Sequence, residues 1–227
     1  MSRYNIFLQV HKGLRAMLYQ TAATLQQTDF LCTSCDNDRV MEQVIEVVDL
    51  FDKHAHTEDN FVLPAIEKHQ PDVVSVFEEE HVQDHILSNR IRTLVTMFKH
   101  SFSTAEQAEI ASAVRAAFVE FLVFNLSHMA KEEIVLNNLL WAHYGDEELR
   151  SISHQIVSHI QPEDMAKYSR WMLQGLNNAE IIAWLKDVRD NAPGFVFQGL
   201  LSVAEKVLPA HRWLVIRDTL ADAAMVA

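Results

Sequence analysis

The sequence predicts an all-α protein, an up-down-up-down four-helix bundle with additional C-terminal helices packed on it. Turn-forming residues are scarce, since the 227 residues include only 5 glycines and 5 prolines, below the usual roughly 7% and 5%. Apolar residues recur at helical spacing over long segments, and short breakers separate these segments. Long helices joined by short connections pack as antiparallel neighbours, which favours a bundle.

Four segments form the predicted bundle helices. They cover about residues 3–27, 39–69, 71–100 and 104–143. Pro64 lies inside the second segment and predicts a kink or a loosened turn there, because proline lacks a backbone N–H. Gly145 ends the fourth segment.

Two domains are predicted, the four-helix bundle in residues 1–145 and a C-terminal helical extension in residues 146–227. The extension reads as shorter helices broken by Pro162, Gly175 and Pro193. We expect these helices to pack on the bundle or against a second subunit, so a homodimer through them is a further expectation.

The formal net charge of -12 argues against nucleic acid as a partner, because phosphate backbones repel an acidic chain without a concentrated basic patch. The first residues carry no cleavable leader pattern, and no stretch reaches ~18 uncharged apolar residues. A cytoplasmic protein without a membrane partner is predicted.

Cys32 and Cys35 form a CTSC motif in a polar stretch. Such a pair is typical of a redox or metal-binding site, but the second CxxC or the βαβ pattern that supports this interpretation is missing. A chance pair in a loop is the alternative, and the role of both cysteines stays open.

Histidines are numerous, with 12 in the chain. Residues four apart share one helix face, so a His followed by His or Glu at that spacing can present two donor atoms to one metal ion. Five such pairs occur: His54/Glu58, His81/His85, His128/Glu132, His143/Glu147 and His159/Glu163. Gly145 and Pro162 interrupt the last two pairs. The other three fall on predicted helices 2, 3 and 4.

His11 adds a histidine on the apolar side of predicted helix 1. Counting from the shared loops at about 1.5 Å per residue places His11 level with His54 and Glu58 level with His81 and His85. His128 fits this register less well.

The predicted metal ligands are His11, His54, Glu58, His81, His85, His128 and Glu132. Burying so many polar groups without a metal would be costly. Mixed nitrogen and oxygen donors in this number suit two first-row ions, iron above all, better than one four-coordinate zinc. A structural bundle with incidental histidines is the alternative.

Four stretches resemble hemerythrin-like HHE cation-binding domains, and they span about residues 3 to 143. They are FLQVHKGLR, HAHTEDNFVLPAIEK, EEEHVQDHILSNRI and HMAKEEIVL. The sequence from AKEE through WMLQGLNNAEIIAWL is also similar to the hemerythrin domains of plant iron-regulatory ubiquitin ligases of the BRUTUS type, although no RING, F-box or zinc-finger module follows.

The resemblance implies a di-iron centre with two iron ions, an oxo or hydroxo bridge and an open position for oxygen. Glu58 and Glu132 would bridge the ions, and the five histidines would be terminal ligands. Respiratory hemerythrins place the second carboxylate five residues after its histidine, which is Glu133 here. We favour Glu132 because it lies closer to the helix face of His128.

The expected function is oxygen binding or the sensing of iron or redox state, with dioxygen, another diatomic molecule or peroxide as the ligand. A di-iron enzyme with peroxidase, oxidase or nitric-oxide-handling activity is the alternative, so enzymatic activity stays open. Apolar residues recur near the ligands and favour a closed pocket. They are Phe7, Leu14, Phe51, Phe77 and Phe124.

Overall fold

A computed structural model describes residues 3–32 and 36–225 of the chain. Within these ranges the regular structure is helical and no strand occurs, which confirms the predicted all-α class. Cys35 lies outside the described residues, so the prediction for Cys32 and Cys35 stays a prediction. The helices are α1 (Leu8–Gln27), α2 (Asn37–Thr57), α3 (Leu63–Glu67), α4 (Pro71–His100), α5 (Thr104–Lys131), α6 (Asn137–His143), α7 (Asp146–His159), α8 (Pro162–Gly175), α9 (Asn178–Asn191), α10 (Gly194–Val207) and α11 (Ala210–Met225).

Two π-helical turns interrupt the predicted second and fourth helices. The first π-turn (Glu58–Val62) joins α2 to α3, and the second π-turn (Glu132–Leu136) joins α5 to α6. The first confirms the loosened turn expected before Pro64. The second replaces what the sequence predicts as an unbroken helix, and proline does not cause it, because residues 132–143 contain none.

The first helix starts later than predicted, at Leu8 rather than near Arg3. The Asn5 side-chain oxygen accepts hydrogen bonds from the backbone N–H groups of Phe7 (2.9 Å) and Leu8 (3.1 Å). An asparagine that bonds to the backbone in this way favours a turn over a continuing helix.

The chain forms two compact units. The first comprises Met1–Leu8 and Met17–Ile160, and the second comprises Gln9–Ala16 and Gln161–Ala227. The predicted domain boundary after residue 145 concerns independent folding and stays a prediction.

In the first unit α4 runs antiparallel to both α2 and α5. Residue numbers rise along α4 while those of its partners fall. On the side of α2 and the first π-turn, the contacting pairs in this order are Asp59/His81, Asp52/His85 and Asp49/Arg92. On the side of α5 they are His128/Glu80, Asn125/Asp84 and Glu120/Arg90.

An apolar cluster closes the end of the first unit that follows the π-turns. Its buried members are Phe7, Val62, Leu63, Ile66, Val74, Phe77, Leu136, Leu140 and Leu149. The cluster therefore anchors α3, α6 and both π-turns to a common core.

In the second unit two glycines permit a close helix contact. A Cβ on Gly175 would lie 2.2 Å from the Lys12 carbonyl oxygen, and one on Gly13 would lie 2.9 Å from the Met172 backbone nitrogen. No larger residue fits without backbone movement. Lys12 also forms an ion pair with Glu180 at 2.5 Å.

The stretch Thr104–His143 is long and apolar enough to cross a membrane by length and composition alone. Core helices of soluble proteins meet the same criteria, so this is weak grounds for a membrane span.

Candidate metal centre

The first unit contains two similar turns, each of which pairs a histidine with a glutamate four residues later. We call them the ligand turns, because these side chains are predicted metal ligands. His54 ends the regular part of α2 and Glu58 begins the first π-turn, with His54 Nε2 3.2 Å from a Glu58 oxygen. His128 and Glu132 stand in the same relation at the end of α5 and the start of the second π-turn, at 3.0 Å. All four side chains are buried.

Helix α4 places His81 between the two turns. Its Nε2 atom lies 3.4 Å from a Glu58 oxygen and 3.9 Å from a Glu132 oxygen. This nitrogen is buried and makes no hydrogen bond to the described residues. Such an atom is costly unless a metal ion or another partner uses it.

Among the described residues of the first unit two groups of buried side chains could each hold a metal ion. One group contains His54, Glu58 and Glu132, and the other contains Glu58, His81, His128 and Glu132. Within each group the candidate donor atoms lie within 4.8 Å of one another. Glu58 and Glu132 belong to both groups.

The first unit therefore brings together five of the seven predicted ligands, while His11 belongs to the second unit and its role as a ligand stays a prediction. His85 joins neither group, and its side chain is 62% exposed with Nδ1 3.7 Å from Asp52. The spacing of four residues puts His81 and His85 on similar helix faces, but α4 turns far enough for His85 to leave the core. Glu133, the alternative to Glu132, also belongs to neither group.

Two outer carboxylates contact the rings of the candidate ligands. Asp59 lies 2.6 Å from Nδ1 of His81, and Glu80 lies 2.8 Å from Nδ1 of His128. Glu80 also forms an ion pair with Lys131. Partial burial would raise the pKa of Glu80, but Lys131 and His128 outweigh this effect and lower it.

The neighbouring carboxylates favour protonated imidazoles in the metal-free protein. Burial alone would lower the pKa of His81, but the negative charges of Asp59, Glu132 and Glu58 raise it to about 12. Burial likewise opposes the charge on His128, while Glu132 and Glu58 raise its pKa to about 9. Metal binding therefore requires these rings to release protons.

A buried polar pair lies one helical turn from two of the candidate ligands, His81 and His128. The Asn125 amide donates to an Asp84 oxygen at 2.6 Å and to the carbonyl of Phe121. Burial raises the pKa of Asp84 to about 6, against the opposing effect of Asn125. This pair is a polar element beside the expected apolar lining.

Sequence reasoning did not identify Asp59, Glu80, Asp84 or Asn125. The available signal is position, because Asp59 follows Glu58 and Glu80 precedes His81 in the chain. Asp84 and Asn125 each lie three residues from a ligand histidine, a spacing that keeps them on the same face.

Aromatic rings flank His128. Phe77 and Phe124 place their ring centroids 5.8 and 5.9 Å from its imidazole. Phe7, Leu14 and Phe51 are buried, as the sequence predicts for core residues.

The donor set fits a metal centre, because histidine nitrogens and carboxylate oxygens converge in a buried place and Nε2 of His81 makes no hydrogen bond to the part of the chain that the structure describes. Fold and site thus define a helical domain with a candidate metal centre.

Comparison with protein families agrees, since the model of the hemerythrin HHE cation binding domain matches residues 2–140. The chain belongs to this family, which confirms the resemblance. Neither the search of curated proteins nor that of solved structures finds a match.

Proposed function

We propose that this protein is a non-haem di-iron protein that binds oxygen or senses iron or redox state. The observation that carries the proposal is the sharing of Glu58 and Glu132 by both groups of candidate ligands. Two carboxylates that face two adjacent cations can bridge them, and their negative charges offset the high local positive charge.

The donor chemistry favours iron among first-row metals. The two groups together supply three imidazoles and two carboxylates from the first unit, a mixture that suits iron, and this number of protein donors leaves positions open on two ions that each prefer six. Two bound iron ions would supply coordination and electron transfer to dioxygen, another diatomic molecule or peroxide.

The protein's own residues would hold the ions and limit access of water. His81, His128 and both glutamates are buried, and Phe77 and Phe124 shield one face of the site beside His128. These features support a closed pocket for a small ligand. We place the protein in the cytoplasm as part of this proposal.

Metal analysis tests the proposal directly. The full chain is reconstituted with Fe(II) without oxygen, desalted and measured for iron per chain, and its optical spectrum is followed as air is admitted. We expect about two irons per chain and a new absorption band on oxygenation. Reproducible binding of a single zinc in preference to iron, or of no metal, would overturn the proposal.

An enzyme is the second candidate, and the Asp84/Asn125 pair favours it. A carrier is served by an apolar lining, whereas an enzyme benefits from groups that hydrogen-bond to a substrate and hold a proton. Both residues are buried one turn from His81 and His128. Peroxide consumption by the iron-loaded protein tests this candidate. We expect Asp84→Leu to abolish turnover, and unchanged turnover in that variant would exclude the role.

The homodimer through the C-terminal helices is also a proposal. Phe195 on α10 and Leu214 and Val215 on α11 are exposed apolar side chains in the second unit, which supports it. Sedimentation of the wild-type protein and of Phe195→Ser measures the oligomeric state of each, and we expect the substitution to weaken the dimer. A wild-type protein that is monomeric at high concentration would contradict it.

A further inference from the structure

The two outer carboxylates reach their histidines from different elements. Asp59 follows Glu58 in the first π-turn and crosses to His81 on α4. Glu80 lies on α4 and crosses to His128 on α5. Each link therefore joins two helices and ends on a buried ring.

The contacted atom is informative. In both cases the carboxylate lies against Nδ1, while Nε2 of the same ring lies near a shared glutamate. A carboxylate at Nδ1 keeps the proton there, which leaves the Nε2 lone pair for a metal ion once the second proton is released. Such contacts also raise the basicity of the ligand nitrogen.

We propose that Asp59 and Glu80 are positioning residues of the metal centre, which hold His81 and His128 with Nε2 directed at the two shared carboxylates. The inference rests on the proposed function, since it needs a metal ion to bind there. It extends the centre beyond its ligands to side chains that touch no ion.

The two positioning residues differ in their own surroundings. The Asp59 side chain is 42% exposed, whereas Glu80 is 17% exposed and shares its charge with Lys131. Because solvent partly screens the Asp59 carboxylate, we expect loss of Asp59 to affect metal binding more than folding. Lys131 restrains Glu80 and reduces the negative charge that reaches His128.

Cobalt(II) is a suitable probe because its optical bands report the ligand field at the metal. The full-length, metal-free chain is titrated with Co(II) as wild type, Asp59→Ala, Asp59→Asn and Glu80→Gln. Glu79→Gln is the matched control, since Glu79 is an exposed neighbour of Glu80 on the same helix. Urea denaturation of each metal-free protein separates folding from binding.

We expect Asp59→Ala to weaken Co(II) binding by about 10- to 100-fold. Asp59→Asn keeps an acceptor for Nδ1–H and loses the charge, so we expect a smaller loss with shifted optical bands. Glu80→Gln should also shift the bands, and Glu79→Gln should match the wild type.

The inference is overturned if Asp59→Asn and Glu80→Gln retain wild-type affinity and wild-type optical bands. It is also overturned if Glu79→Gln loses as much affinity as Glu80→Gln, because the effect would then be one of general surface charge. Failure of the wild-type protein to bind Co(II) or Fe(II) would instead count against the proposed function.

Discussion

The two ligand turns of the first unit share a geometry but differ in sequence. In each, a buried glutamate four residues after a histidine begins a π-turn, and its carbonyl accepts from the N–H group five residues later, that of Leu63 or of Asn137. Pro64 follows the first turn closely, whereas the second turn has no proline near it.

Because only the first turn has a proline near it, proline is not the common cause of the two π-turns. Both turns place their glutamate in the two groups of candidate ligands, and π-turns inside α-helices are frequent at functional sites. We infer that a π-turn accompanies each pair of a histidine and a glutamate four residues later. Pro64 only makes the first of the two π-turns easier to form.

The largest expected effect tests the equivalence of the turns. Glu58→Ala and Glu132→Ala should each lower metal affinity at least about 100-fold, because each removes a donor from both groups and leaves a buried imidazole without its charge partner. Iron content and urea denaturation measure this. Glu133→Ala is the control and should keep its iron. If either glutamate variant retained two irons, the two turns would not be equivalent.

The next largest expected effect is the change with pH in the stability of the metal-free protein. The folded pKa values of His81 and His128, about 12 and about 9, exceed their ordinary value of 6.5. Their stabilising effect is therefore complete below pH 6.5 and is lost as pH rises through the folded values.

At about 1.4 kcal/mol per pKa unit, the free energy of unfolding should fall by a few kcal/mol between pH 6.5 and 9.5. Metal affinity should rise over the same range because protons, which compete with the metal ion for the ring nitrogens, become scarcer. Denaturation and Fe(II) titration at both pH values provide the measurement. A metal-free protein that becomes more stable at pH 9.5 contradicts the expected signs.

A smaller effect is expected at His85, which the sequence predicts as a ligand and the structure places outside both groups. His85→Ala should change Fe(II) affinity by less than about twofold, since the side chain is mostly exposed. His81→Ala is the matched variant on α4 and should lose much of the metal. Equal losses of Fe(II) affinity in the two variants would support the prediction that His85 is a ligand.

The smallest effect is expected for Pro64→Ala. Because the second turn forms without proline, the first should persist, with stability changed by about 1 kcal/mol or less and metal affinity nearly unchanged. Fe(II) titration and thermal unfolding provide the comparison. Loss of iron in this variant would show that proline shapes the first turn.

The sequence predicts the fold class and the ends of α4 well, because Pro71 and the connection after His100 are strong local signals. It also predicts that His54 lies beside Glu58 and His128 beside Glu132, because a spacing of four residues is a property of one helix; their role as metal ligands stays a prediction. His85 shows the limit of that reasoning, since exposure depends on how α4 is rotated against its neighbours.

Asp59 and Glu80 show a second limit. Their contacts join different helices, so no spacing within one helix can reveal them. The second π-turn is similar, because residues 132–136 contain no proline or glycine that would signal a change in the helix.

Glu58 and Glu132 meet in the core although the whole of α4 separates them in the chain. A newly made chain therefore lacks Glu132 from both ligand groups, and His128 from one of them, until α5 and the second π-turn have been synthesised. An ion held by both glutamates closes this long stretch into a loop, and such a cross-link reduces the entropy of the unfolded chain. Metal bound there would act as a cross-link that completes the site after the helices assemble.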